Sequence, residues 1–67
     1  MNTYETIILA RKHLHNGATM ATSAELCLSD AIRLHDDGNL TDAKSRAIKS
    51  LAYSVGVFHK DYQRAAS

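Results

Sequence analysis

The feature that most constrains this chain is an apolar seam toward its C-terminal end. Ile48, Leu51, Val55, Phe58 and Tyr62 recur at alternating steps of three and four residues. Such steps return to the same side of a 3.6-residue helix, so the five side chains predict one long helical face. A face of that size must be covered, and the rest of the chain supplies little bulk to cover it. Hydrophobic residues make up 45% of the 67, yet ten of them are alanine and one is cysteine. Alanine favours helix but buries little area.

A single domain spanning 1–67 lies near the lower limit for a chain that buries its own core. Small scaffolds usually add a disulfide, a metal or a partner chain. Cys27 is the only cysteine, which excludes an intrachain disulfide and fits a reducing compartment. There is no proline, and the three glycines fall at helix ends or inside the seam, as in helix bundles and not sheets. The expectation is an all-α fold completed by dimerisation. Ile48, Leu51, Val55, Phe58 and Tyr62 are the predicted interface of a symmetric homodimer. The simpler alternative makes the seam the core of a monomer, covered by the preceding helices.

In order, the pattern predicts helices at about 3–15, 23–37 and 41–65, with the second and third forming a hairpin. Asn2 or Thr3 caps the first, with Glu5 in its first turn, where the helix dipole favours an acid. Tyr4, Ile7, Ile8 and Leu14 form its apolar stripe, and Asn16-Gly17 ends it. Thr22-Ser23-Ala24-Glu25 reads as a capping box opening the second helix. Ala24, Cys27, Leu28, Ala31, Ile32 and His35 share one face, and Gly38 closes the helix. Thr41 caps the third helix. Within that helix, Tyr53-Ser54-Val55-Gly56-Val57-Phe58 is rich in β-branched and aromatic residues. It competes as a short strand or kink, but the seam keeps helical phase across it.

Ala31, Leu34, Gly38, Leu40, Ala43 and Ala47 resemble, in spacing, one tetratricopeptide-type helical hairpin over residues 24–57. Ser50 stands where that repeat usually has alanine, and no second copy follows. The resemblance implies a hairpin that needs further cover, because one such unit cannot bury both faces. The segments MNTYETI, RKHLHNGATM and KSLAYSVGVFHKDY resemble the small early-region proteins of lambdoid temperate bacteriophages. That resemblance implies an accessory factor, in some cases favouring lytic development, that acts through contacts with host or phage proteins. No functional residue is carried over from it.

No chemistry-bearing motif stands out, and no catalytic, cofactor-binding or metal-ligating residue is expected. His13 and His15 are two apart and so point to different sides of a helix. No Cys-x-x-Cys or His-x-x-x-His pair occurs. His35 lies roughly 12 Å along a helix axis from Cys27, too far to serve it as a base. There is no glycine-rich phosphate loop and no Gly-x-Ser-x-Gly elbow. Net charge is +1 but uneven: residues 1–40 carry −2 and residues 41–67 carry +3. Lys44, Arg46, Lys49, Lys60 and Arg64 give the alternative reading, a nucleic-acid-binding regulator using the outer face of the third helix. Aromatic stacking platforms are missing among them, so a solvated face is the simpler account. The longest apolar run near the N-terminus is Ile7–Ala10, far short of a membrane span or a secretory signal, and the expected location is cytoplasmic.

Overall fold

The computed structural model describes residues 1–16 and 20–55. These residues form α1 over Thr3–His15, α2 over Ala21–Asp36 and α3 over Leu40–Val55. The fold is all-α, and no strand occurs among the described residues. Tyr53, Ser54 and Val55 continue α3 as helix. Gly56 and the residues beyond it, including Phe58, Lys60, Tyr62 and Arg64, lie outside the described residues.

Three long-range hydrogen bonds set the helix directions. The Ser50 hydroxyl donates to the Ala24 carbonyl at 2.7 Å, and the Met20 amide donates to the Tyr53 carbonyl at 3.2 Å. Residue numbers rise along α3 as they fall along α2, so these two helices run antiparallel. The Thr3 hydroxyl donates to the Leu40 carbonyl at 3.0 Å, which ties the start of α1 to the start of α3. The helices therefore run up, down and up.

The core forms where all three helices meet. Ile7 and Ala10 come from α1, Leu28 and Ala31 from α2, and Ala47 and Leu51 from α3. Ala10, Ala31 and Ala47 have no exposed surface. With a methyl at each contact, the helix axes can approach closely, and Leu51 fills the centre. Removing its side chain from water contributes about 2 kcal/mol. The chain's shortage of large side chains is thus met by close approach of small ones.

The helix ends bear out one expected cap and correct two others. The capping box is at Asn2, whose side chain accepts from the Glu5 amide at 2.8 Å while Glu5 accepts from the Asn2 amide at 3.0 Å. No such box opens α2. That helix starts at Ala21, after Met20, and Thr22 and Glu25 lie inside it. The Met20–Tyr53 bond fixes the chain one turn before Ala24, and the Ala24 amide then closes onto the Met20 carbonyl at 2.9 Å. Helix α3 likewise starts before Thr41: the Ala43 amide bonds the Asn39 carbonyl at 3.0 Å, and the Asn39 amide group donates to Asp42 at 2.9 Å.

The turn between α2 and α3 follows the sequence. Gly38 has φ +83, its amide bonds the His35 carbonyl at 3.0 Å, and the Asn39 amide reaches back to the Leu34 carbonyl at 2.9 Å. This pair of bonds is a Schellman stop, which needs a left-handed residue and so favours glycine.

Candidate interaction surface

The seam of α3 divides at its end. Ile48 is buried and Leu51 is 0% exposed, both within the single chain, whereas Val55 is 38% exposed. Phe58 and Tyr62 lie outside the described residues. Two members of the expected interface are therefore already covered by the chain's own helices.

The outer face of α1 has the opposite character. Tyr4 is 62% exposed and Ile8 is 43% exposed, with Met1 also open to solvent. Met1, Tyr4, Glu5, Ile8, Leu9 and Lys12 line a shallow groove of about 420 Å³ whose surface is mostly apolar. Helix geometry explains the split from Ile7. Neighbouring residues are 100° apart, so Ile7 can turn inward with Thr6 and Ala10 only if Ile8 turns outward. The expected stripe of Tyr4, Ile7, Ile8 and Leu14 is thus two stripes: Ile7 and Leu14 pack in the core region, while Tyr4 and Ile8 face out. Thr6 is a polar residue on the inner face, and its hydroxyl donates to the Asn2 carbonyl one turn back at 2.7 Å. Burying it therefore leaves no unsatisfied group. The exposed pair was not singled out from the sequence. Its signal was the four-residue step from Tyr4 to Ile8, out of phase with Ile7 and Leu14.

A second groove, of about 490 Å³, lies between α2 and α3 and is lined by Asp30, Arg33, Leu34, Asp42, Ser45, Arg46 and Lys49. It unites Arg46 and Lys49 from the alternative nucleic-acid set with Arg33, which that set omitted. Lys44 does not line it. Ser50 does not belong to this charged face, because its hydroxyl turns inward to Ala24. Asp30 stands 3.6 Å from Arg33, both well exposed, so the pair adds little stability but offsets part of the positive charge.

Groups that could do chemistry are dispersed. Cys27 is buried on α2. His35 sits near the Tyr4 ring, with centroids 6.4 Å apart, and its Nδ1 is 4.0 Å from Asp36. His13 is half-buried and His15 exposed on α1. No three His, Cys, Asp or Glu side chains converge as a metal site among the described residues. No described helix is long and apolar enough to cross a membrane. No protein-family model, curated protein or solved structure matches the chain.

Proposed function

We propose that this chain is a non-enzymatic protein-protein interaction module whose contact surface is the outer face of α1. The exposure of Tyr4 and Ile8 beside Met1 carries this reading. A small domain with few large side chains leaves two of them on one helix face and Met1 just ahead of it, turned away from the core they could have filled. An aromatic and an aliphatic anchor flanked by charges is the composition of a binding surface's centre and rim. The resemblance to phage early-region proteins fits this reading, since such proteins act through contacts with host or phage proteins.

The rival reading, nucleic-acid binding, finds support in the convergence of Arg33, Arg46 and Lys49 on one groove. Asp30 and Asp42 line the same groove and would face the phosphates, which weighs against it.

The two readings separate in one experiment. A photo-crosslinking p-benzoylphenylalanine is placed at position 4 or, in a second variant, at position 46, and each is irradiated in cells. Protein adducts at position 4, lost on adding Ile8→Asp, are expected. Nucleic-acid adducts at position 46 with none at position 4 would overturn the proposal.

A further inference from the structure

We infer that the occupant of the α1 groove is a second copy of this chain, with the two α1 helices antiparallel about a twofold axis beside Ile8. The inference rests on the groove being a protein-docking surface and adds which protein docks there.

Charge is placed on this face to suit a second copy. Glu5 and Lys12 line the groove at either end of its apolar middle. They are seven residues apart, about 10 Å along the axis, and their midpoint falls between Ile8 and Leu9. A twofold axis at that midpoint reverses the second helix. Each Glu5 then lies beside the partner copy's Lys12, and Ile8 packs on its own symmetry mate. The same operation carries Tyr4 to the level of the partner copy's His13, one residue step from Lys12, so that the Lys12 cation can sit on the ring. A parallel pairing would instead oppose Glu5 to Glu5 and Lys12 to Lys12. The groove is thus self-complementary in one orientation only, and a twofold pair closes on itself without leading to a filament.

Other occupants fit less well. With one acid and one base, the groove offers no net charge to attract nucleic acid or an acidic partner. The α3 seam is the other surface on which copies could meet, but Ile48 and Leu51 are already covered within the chain. A contact made by one helix belongs to the small, transient class of interfaces, so the association is weak and is read at high protein concentration.

Sedimentation equilibrium at low salt tests this directly, with circular dichroism confirming that each variant folds. The wild-type mass should rise toward two chains with concentration. Lys12→Glu, which turns both attractive pairs into repulsive ones, should weaken association about fivefold, and adding Glu5→Lys should restore it. Ile8→Asp should remain a monomer throughout. A wild type that stays monomeric, a Lys12→Glu effect that the second charge reversal does not rescue, or association abolished by Val55→Asp but not by Ile8→Asp would each overturn the inference. The crosslink at position 4 separates this failure from that of the docking reading. An adduct of two chains supports both. An adduct to a different protein alone overturns the second copy and leaves the docking surface standing. No protein adduct overturns both.

Discussion

The inner face of α3 and the outer face of α1 are built from similar residues and put to opposite use. Leu51 is fully enclosed by alanines and large neighbours from two other helices, while Ile8, comparable in size, faces solvent. Neighbour size at the crossing accounts for the difference. On α3, Ala43, Ala47 and Ser50 bring the other backbones close, so that Leu51 meets atoms on every side. On α1, the small residues Thr6 and Ala10 lie on the face with Ile7, and that face is the one that docks. What a large apolar residue does here depends on whether small residues share its side of the helix.

The strongest way to break this comparison is to truncate a large apolar side chain on each face. Leu51→Ala should lower stability by about 3 kcal/mol in chemical denaturation, because a fully enclosed site collapses poorly around the cavity. That is a large share of what a domain of this size possesses. A loss equal to that of Ile8→Ala would show that the two faces do not differ. Ala47→Leu sharpens the claim from the other direction. Extra bulk where the helices touch should cost about 2 kcal/mol, although the new residue is more hydrophobic and a better filler in any open site. Unchanged or raised stability would mean the crossing is not tight.

Smaller effects follow at the margins. Gly38→Ala should cost about 1 kcal/mol, all of it from the left-handed backbone, since nothing lies within 4 Å of an added Cβ. Ile8→Ala should change monomer stability by less than about 0.5 kcal/mol, as for an exposed residue away from special features. A larger loss in dilute solution would place Ile8 in the core.

Much of this fold was legible in the sequence wherever local chemistry decides. Gly38 announced the α2–α3 turn because few residues take positive φ easily. The small residues Ala31, Ala43 and Ala47 announced close helix contact by their spacing. Ile48 and Leu51 stood out by period alone. The misreadings have a common cause in contacts between distant segments. Thr22 and Glu25 have the right spacing for a capping box, but the Met20–Tyr53 bond starts α2 earlier and puts them inside the helix. Ser50 stood out as a departure from the alanine of a helical repeat, and only the α2 backbone shows why a hydroxyl sits inside. The α1 face was misread for a subtler reason. Tyr4, Ile7, Ile8 and Leu14 are all apolar, and composition cannot say which of two stripes 100° apart faces inward. Thr6 and Ala10 decide it, and they are unobtrusive in a list of hydrophobic residues.

Leu51 and its neighbours form a core within one chain, which leaves the outer face of α1 free to meet other molecules. Thermal unfolding followed by circular dichroism through serial dilution tests it most directly. A core within one chain predicts a cooperative helical transition whose midpoint is unchanged on dilution below the range of self-association. Loss of helix on dilution, with a midpoint that keeps falling as the chain is diluted, would contradict it and make the seam a core shared between chains.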